Sequence, residues 1–331
     1  MRPLPLCLVG LLLGCASTFV PDTWVRFVAG DGIYAWDTEW GELPEGQSIG
    51  NTHGGMAVDA AGRIYASRDT APAVLVFDQR GRLVDSWGEE LGGGLHGLCL
   101  REEGGEEFLY LAHTGRHEVA KATLDGGILW TVGVPMESGL YENAGQYLPT
   151  GIAVTGDGSF YVADGYGKGV VHRYGADREY LGWFGGPGEG DGQFRTPHGI
   201  IVDERRPFPR VLVADRENGR VQSFDMDGDF LEVLPVEFRR PCGFALGADG
   251  TLAVPELAGR VSVLDADDNL LGRLGDNPNM DQWANNGLPP DRWMPGLFIS
   301  PHGATFDGDG NLYVQDWVAA GRFTRLVRTV Q

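Results

Sequence analysis

Residues Thr196 to Leu231 read TPHGIIVDERRPFPRVLVADRENGRVQSFDMDGDFL. The segment begins with an apolar run after a His-Gly pair, and it continues through a turn, a VLVAD strand, a polar loop and an RVQSFD strand. Apolar residues alternate along these runs, as at Val211, Val213 and Phe224, which indicates strands with one set of side chains buried. The Asp-Gly pair near the end suits a tight hairpin turn. The segment therefore predicts an antiparallel meander of three or four short strands.

The same pattern recurs five more times along the chain. The other copies begin at His53, Leu95, Pro149, Pro241 and Pro301. The residues that we align before the leading glycine of each copy are His53, His96, Thr150, His198, Cys242 and His302. Repeats of about 40 to 50 residues with this number of strands are typical of propeller blades, because one blade cannot bury its own faces and stacked blades can. The sequence therefore predicts an all-β fold, a single six-bladed β-propeller over residues 22–331.

Two segments outside the repeats have predicted roles of their own. The stretch Trp24 to Val28 has the composition of a strand, and we expect it to form the outer strand of the last blade. Such a closure joins the two ends of the propeller and removes two unpaired sheet edges. Residues Asp276 to Leu297 lack the strand pattern and are rich in Asn, Pro and Trp, so we expect a long loop over one mouth of the propeller.

The charge balance limits the classes of partner. The chain of 331 residues has a formal net charge of −20. Nucleic-acid binding needs clustered Lys and Arg, so we expect no nucleic-acid partner. The simplest interpretation of the excess of acidic residues is that it keeps the protein soluble. An electrostatic field that steers a cationic ligand is the alternative. We expect a monomer that takes a small-molecule or peptide-derived substrate.

The first residues indicate export from the cytoplasm. Arg2 is followed by a short apolar run from Leu4 to Leu13, which is too short to span a bilayer as a helix. The run ends in Leu-Leu-Gly-Cys, which resembles the lipobox of bacterial lipoproteins and implies a lipid on Cys15. We interpret residues 1–15 as a lipoprotein signal peptide with a lipobox cysteine, and we expect a secreted chain that is lipid-anchored to the bacterial cell envelope and has no other membrane contact. Ala16 implies the outer membrane in a Gram-negative cell, and an ordinary signal peptide that contains a cysteine is the alternative.

Three histidines stand at the same place in alternate copies. His96, His198 and His302 each precede the glycine that starts an innermost strand, beside the central channel. Alternate blades of a six-fold ring lie about 120° apart, so three equivalent side chains converge near the axis. Three imidazoles that leave a coordination position open are a usual catalytic zinc arrangement. The pattern predicts a zinc site, and a polar hub pocket that merely accepts histidine is the simpler alternative.

Blades two to four contain the stretches LPTGIAV (148–154), YVADGYGKG (161–169), GQFRTPHG (192–199) and LVADRENGRVQSF (212–224). These stretches resemble peptidyl-α-hydroxyglycine α-amidating lyase, and the repeats as a whole resemble NHL repeats. The resemblance implies a zinc ion bound by His96, His198 and His302. It also implies that Tyr166 is the catalytic base and that Arg216 contacts the reacting group.

The chain departs from the lyase pattern at three places. The position nearest to a functional arginine of the lyase is His53, with Gly54 beside it. We assign His53 to substrate binding as a replacement contact; metal binding or no role are the alternatives. Gly303 follows the last histidine where the lyase has an acidic calcium ligand, so the resemblance does not extend to structural calcium. Cys99 and Cys242 fall in different repeats and do not match the loop cysteines of the lyase, so we expect no disulfide between them.

The residues and the resemblance together favour a zinc-dependent carbon–nitrogen lyase that cleaves an N-acyl-α-hydroxyglycine to an amide and glyoxylate. Tyr166 acts as a base only if its pKa falls below the usual value of about 10, and we expect the metal and Arg216 to cause that shift. A surface-tethered NHL propeller that binds a protein or a glycan without catalysis is the main alternative. A metal-dependent lactonase or esterase ranks last, because those propellers usually hold their metal through acidic and Asn side chains.

Overall fold

Within the part of the chain that the structure describes, twenty-five strands form six antiparallel sheets that follow one another around a ring. The structure is a computed structural model that describes residues 20–21, 23–41, 43–44 and 46–330, and for Val330 the backbone only. Strands β1 (Arg26–Ala29) and β2 (Gly32–Asp37) come before the first complete blade. This architecture confirms the predicted all-β, six-bladed β-propeller.

Blades one to five each contain four consecutive strands. Blade one consists of β3 (Met56–Val58), β4 (Ile64–Ser67), β5 (Val74–Phe77) and β6 (Leu83–Trp87). Blade two consists of β7 (Leu95–Glu103), β8 (Glu106–His113), β9 (Glu118–Ala122) and β10 (Ile128–Val132). Blade three consists of β11 (Gly151–Val154), β12 (Phe160–Ala163), β13 (Val170–Tyr174) and β14 (Tyr180–Gly185). Blade four consists of β15 (Pro197–Asp203), β16 (Arg210–Asp215), β17 (Arg220–Phe224) and β18 (Phe230–Val233). Blade five consists of β19 (Ala245–Leu246), β20 (Leu252–Glu256), β21 (Arg260–Leu264) and β22 (Leu270–Leu274).

Blade six combines strands from both ends of the described chain. Its inner strands are β23 (Pro301–Phe306), β24 (Leu312–Asp316) and β25 (Arg322–Val330). β2 pairs with β25 from Gly32 opposite Val330 to Asp37 opposite Arg325, and β1 pairs in turn with β2. The ring is therefore closed by a strand that precedes blade one in the sequence.

The prediction that Trp24 to Val28 supplies the outer strand of blade six is confirmed in part, because β1 is the outermost strand of that sheet, but the strand that closes the ring is β2. Part of this stretch lies in β1, which pairs with β2 and not with β25. β1 is largely exposed, whereas β2 buries Tyr34 and Trp36 at relative exposures of 2% and 4%. Beyond β1, the Gly30 N–H donates to the Leu271 oxygen of blade five at 3.3 Å. β2, and not β1, completes the blade because it carries the two aromatic side chains that are buried in the core.

The side chains of β16 illustrate how neighbouring blades are joined. Val211 and Val213 pack with Tyr161 of blade three in one apolar cluster. Leu212 packs with Leu252 of blade five in another cluster. Because successive side chains of a strand point to opposite faces, one strand contributes to two blade interfaces. Each fully buried side chain of this size stabilises the fold by about 1.5–3 kcal/mol.

The segment Asp276 to Leu297 forms a long loop at the mouth where the innermost strands begin, as predicted. Its regular structure consists of two single-turn 3₁₀ helices, Met280–Gln282 and Pro290–Arg292. The side-chain amide of Asn286 donates to Asn51 Oδ1 at 2.8 Å, which ties the loop to the segment before blade one.

Helical structure is confined to short turns in the described residues. The remaining 3₁₀ helices are Glu89–Leu91, Met136–Ser138, Ala144–Gln146 and Arg216–Asn218. None of the helices found in these residues is long and apolar enough to cross a membrane. Cys99 and Cys242 are both free thiols. The proposed signal peptide, residues 1–15 with Cys15, lies outside the described residues.

Candidate functional site at the propeller hub

Each innermost strand starts close to the axis, where neighbouring blades meet. A Cβ atom on Gly199 would overlap the carbonyl oxygen of Cys242 in the next blade, and a Cβ atom on Gly303 would overlap that of Gly54. The blades are therefore too close for any side chain at these glycines. The residue before each glycine has the nearest side chain to the axis, which explains why a His-Gly pair can begin a blade.

His96, His198 and His302 converge at the axis. Their ring centroids are separated by 4.8 Å for His96 and His198, 5.1 Å for His96 and His302, and 4.7 Å for His198 and His302. All three side chains are buried. The fold therefore brings together the three residues that the sequence predicts as metal ligands.

Backbone carbonyl groups of the next blade fix the tautomers of two hub histidines. His96 Nδ1 lies 2.7 Å from the Thr150 oxygen, and His198 Nδ1 lies 2.8 Å from the Cys242 oxygen. A carbonyl oxygen only accepts hydrogen bonds, so Nδ1 carries the proton and donates it. The Nε2 atoms therefore present lone pairs, and metal-binding histidines are usually held in this way.

His302 has the least satisfied ring of the three. The backbone of Gly54 hydrogen-bonds this ring, whereas its Nε2 is buried and has no hydrogen-bond partner among the described residues. Burial lowers the pKa of His96, His198 and His302 well below the usual value. The three imidazoles are therefore neutral at neutral pH, and the neutral imidazole is the form that binds metals.

Blade one places Gly54, and not His53, at the position of the hub histidines. The Gly54 oxygen meets Gly303 in the same way as the Cys242 oxygen meets Gly199. The sequence alignment that put His53 at this position is therefore wrong by one residue. Two successive glycines follow His53 in the sequence, and they make either alignment possible.

His53 nevertheless reaches the hub from one residue further out. Its ring centroid lies 4.5 Å from that of His96 and 4.8 Å from that of His302, and it stacks on Trp317 at 5.5 Å. Its Nδ1 lies 3.8 Å from Asp69 Oδ1, and its side chain is 23% exposed. Burial lowers the pKa of His53 to about 4, so this ring is also neutral at neutral pH. Its partial exposure places it where an incoming molecule can touch it.

Tyr166 reaches the same centre from the loop after β12. Asp164 holds this loop by accepting the backbone N–H of Leu148 at 2.7 Å. The Tyr166 hydroxyl lies 3.3 Å from Nε2 of His96 and 3.0 Å from Nε2 of His198. Both nitrogen atoms accept, so the single hydroxyl proton serves one imidazole at a time.

Arg216 approaches Tyr166 from the 3₁₀ turn after β16. Its Nη1 donates to the Tyr166 hydroxyl at 3.1 Å, and its Nε donates to Glu217 Oε1 at 2.9 Å. Burial raises the pKa of Tyr166, and the positive charge of Arg216 opposes this effect without reversing it. The expected lowering of the tyrosine pKa is therefore not produced by the protein residues alone. A base at this position needs a further positive charge beside it.

Two sets of potential metal ligands overlap at the hub. The first set is His53, His96 and His302, and the second set is His198, Cys242 and His302. In each set the donor atoms lie within 4.8 Å of one another. Neither set contains His96, His198 and His302 together, but His302 belongs to both, so the three predicted histidines lie in one group of five potential ligands.

Cys242 is the member of this cluster that sequence reasoning left out. The sequence does place it before the leading glycine of blade five, at the position that histidine occupies in three other blades. Thiolate and imidazole are both common zinc ligands, so this position makes Cys242 a candidate metal ligand. Its place in the repeat was the signal that could have identified it.

A cavity of about 380 Å³ follows the central channel next to the hub histidines. The innermost strands of all six blades line it, and so do Arg101 and Glu204, which form an ion pair at 3.1 Å. This volume is within the range of small-molecule sites in proteins.

Comparisons with known proteins agree with the fold, and the similar proteins include amidating enzymes. No protein-family model matches the chain. NHL repeat-containing protein 3 of Homo sapiens is 30% identical over 210 residues, which is 60% of this chain and 59% of that protein. A probable peptidyl-α-hydroxyglycine α-amidating lyase of Caenorhabditis elegans is 28% identical over 154 residues, which is 46% of this chain and 42% of that protein. The chain is similar to NHL-repeat proteins and to amidating lyases. In both comparisons the matched region spans less than two thirds of the relative.

Similarity to solved structures extends over most of the propeller. A gluconolactonase from Xanthomonas campestris superposes with a TM-score of 0.60 at 17% identity, covering 91% of each chain. At this identity the match supports the propeller fold alone, and it says nothing about the reaction.

Proposed function

We propose that this chain is a zinc-dependent lyase similar to the amidating lyases, and that it cleaves an N-acyl-α-hydroxyglycine to an amide and glyoxylate. The observation that carries the proposal is the convergence of three neutral imidazoles from alternate blades, whose ring centroids are 4.7–5.1 Å apart. The similarity to an amidating lyase supports it.

The hub residues have the chemistry that a zinc site requires. His96, His198 and His302 would hold the ion, because neutral imidazole is a preferred zinc ligand at about 2.0–2.1 Å. The Nδ1 contacts to Thr150 and Cys242 orient two of these rings before any ion binds. A buried and unpartnered Nε2 on His302 is otherwise a costly arrangement. A bound zinc ion would supply Lewis acidity toward the substrate hydroxyl.

Tyr166 and Arg216 would carry out the transfer of the substrate hydroxyl proton. Tyr166 takes the proton of the substrate hydroxyl once a cation at the hub opposes the effect of burial on its pKa. Arg216 remains hydrogen-bonded to the tyrosine oxygen and stabilises its negative charge. The carbon–oxygen double bond of glyoxylate forms as the carbon–nitrogen bond breaks, the electron pair goes to nitrogen, and a proton completes the amide. No oxidant or reductant is needed.

His53 would bind the substrate at the exposed side of this centre. It is less buried than the three hub histidines, and its imidazole is held between Trp317 and Asp69. A neutral imidazole can donate one hydrogen bond and accept another, so it suits a polar group of the substrate.

The first residues support a cellular setting for this proposal. We propose that the signal peptide is cleaved directly before Cys15, that a lipid on Cys15 tethers the propeller to the cell envelope, and that residues 22–331 act as one monomeric domain. The partners would then be a small-molecule or peptide-derived substrate and, through the lipid, a membrane.

Metal analysis combined with a turnover assay tests the catalytic proposal. The purified protein should hold one zinc ion, and His96→Ala, His198→Ala and His302→Ala should each lose most of it. Double variants should be little worse than single ones, because all three side chains act through the same ion. The control His117→Ala changes a histidine outside the hub and should keep the metal.

Tyr166→Phe separates proton transfer from metal binding. It should keep the zinc and lose turnover of a hydroxyglycine model compound, because it removes the proton acceptor and leaves the ligands in place.

If the wild-type protein holds no metal and binds none on addition, the lyase proposal fails. The non-catalytic binding propeller would then be the better interpretation, and the similarity to an NHL repeat-containing protein is consistent with it.

A further inference from the structure

The hub contains a buried thiol that the three-histidine site does not use. Cys242 occupies the hub position of blade five, directly before Gly243, and its relative exposure is 3%. Its Sγ has one weak hydrogen-bond contact, to the Arg240 oxygen at 3.6 Å. A thiol that only filled space would be expected among apolar side chains. This one faces imidazoles and the charge of Arg216 instead.

Three donors meet at this side of the axis. The donor atoms of His198, Cys242 and His302 all lie within 4.8 Å of one another, and all three residues are buried. His302 belongs to this set, and its Nε2 is buried without a hydrogen-bond partner among the described residues, which is a second sign that a ligand is missing here. The backbone carbonyl of Cys242 also orients the imidazole of His198. Cys242 therefore positions one potential ligand through its backbone and offers a second through its own thiol.

Without a metal, the Cys242 thiol stays protonated at neutral pH. Burial raises its pKa to about 11, and the positive charges of Arg216 and Arg240 oppose this effect only in part. The thiolate would therefore form on metal binding, because a coordinating thiol is deprotonated by the metal.

We propose that the Cys242 thiolate ligates the hub metal together with His198 and His302, so that the centre is a mixed nitrogen–sulfur site. The inference rests on the proposed function only in requiring that a metal binds at the hub. Such a site takes zinc and softer cations such as cadmium or copper(I), and it disfavours calcium and magnesium, which prefer oxygen. With His96 as a fourth protein ligand, the substrate would occupy a fifth position, and zinc can expand to five ligands.

Cobalt(II) substitution tests the inference directly. The metal-free protein is loaded with Co²⁺, and its absorption spectrum is recorded. Thiolate coordination to Co²⁺ gives an intense charge-transfer band in the near ultraviolet, and imidazole coordination does not. We expect this band in the wild-type protein at one equivalent of cobalt. Cys242→Ser should lose it, whereas the matched control Cys99→Ser, which changes the other cysteine of the propeller, should retain it.

Two further measurements complete the experiment. Cys242→Ser should weaken zinc binding by at least about tenfold, since changes to the outer shell alone cost about 10–100-fold. In the wild-type protein, zinc should protect Cys242 from alkylation, which needs no variant and remains informative if Cys242→Ser does not fold. Cobalt bound without the charge-transfer band, or alkylation unaffected by zinc, would overturn the thiolate ligand and leave the lyase proposal standing. Failure of any metal to bind would overturn both.

Discussion

At the scale of single residues, close contact between neighbouring blades controls the hub. Glycine is required where the carbonyl oxygen of the next blade approaches, as at Gly199, and the residue before it lies at the axis. The same neighbouring carbonyl then accepts the Nδ1 proton of the histidine, as at His198. One contact between blades therefore determines both which residue is at the hub and which imidazole nitrogen is left for a ligand.

A buried histidine away from the hub should make stability depend on pH. His172 Nε2 lies 2.6 Å from the Tyr141 hydroxyl, and burial lowers its pKa to about 3. Below about pH 6.5 the unfolded chain takes up a proton that the folded chain does not, so the free energy of unfolding falls by about 1.4 kcal/mol for each pH unit from this residue. Urea unfolding of wild type and His172→Gln between pH 8 and pH 5 measures this slope.

The variant should have the shallower slope below pH 6.5 and the same slope as wild type above pH 7.5. Equal slopes in the acidic range would mean that His172 is protonated in the folded protein. The hydrogen bond from the Tyr141 hydroxyl to Asp164 at 2.6 Å connects this histidine to the loop that carries Tyr166. Any loss of turnover in His172→Gln would therefore reflect the position of that loop.

The hub residues show what the sequence could and could not reveal at this scale. The positions of His96, His198 and His302 followed from the repeat alone, because equivalent positions in a propeller meet at one axis. The error at His53 arose because an alignment cannot distinguish between two successive glycines, whereas the contact between backbones can. The raised pKa of Tyr166 depends on burial by residues of several blades, which no local pattern contains.

At the scale of secondary-structure elements, closure of the ring depends on the hairpin β1–β2. β2 is the fourth strand of blade six, and its side chains Tyr34 and Trp36 belong to the apolar cluster between blades five and six. β1 forms an additional fifth strand with mostly exposed side chains. The sequence indicated that an N-terminal strand closes the last blade, and only the pairing register identified which strand does so.

Two deletions should separate the contributions of these strands. Removing residues 23–29 takes away β1 and should lower the melting temperature modestly. Removing residues 23–37 also takes away β2, exposes the edge of β25 and removes two buried aromatic side chains, each stabilising by about 1.5–3 kcal/mol. A further fall of roughly 10 °C or more, with aggregation, is expected. Similar melting temperatures for the two deletions would exclude β2 as the closing strand.

At the scale of the whole molecule, six similar blades with an acidic overall charge surround a hub of uncharged potential metal ligands. The net charge of −20 attracts cations over a long range, and the hub provides the groups that could bind one. The repeats determined the fold because they recur through most of the chain. The reaction, in contrast, depends on a few hub and loop residues, which the repeat pattern alone does not determine.

The proposed lipid anchor makes a prediction for the intact protein in cells. If Cys15 carries a lipid, wild-type protein expressed in a bacterium should fractionate with membranes, and Cys15→Ser should release it or stop its processing. Cys99→Ser is the matched control and should remain with the membrane. Wild-type protein found entirely in the soluble periplasmic fraction would contradict the anchor and leave the propeller and its hub unaffected.

The hydrogen bonds between each hub histidine and the next blade also set an order of events. The last of them runs from the ring of His302 in blade six to the backbone of Gly54 in blade one, so it forms only when the two ends of the ring have met. On the proposal above, metal loading is therefore a late step that follows completion of the ring. A chain exported before folding would take its ion from the compartment where the ring closes, and the supply of metal there, rather than in the cytoplasm, would decide which ion the finished protein carries.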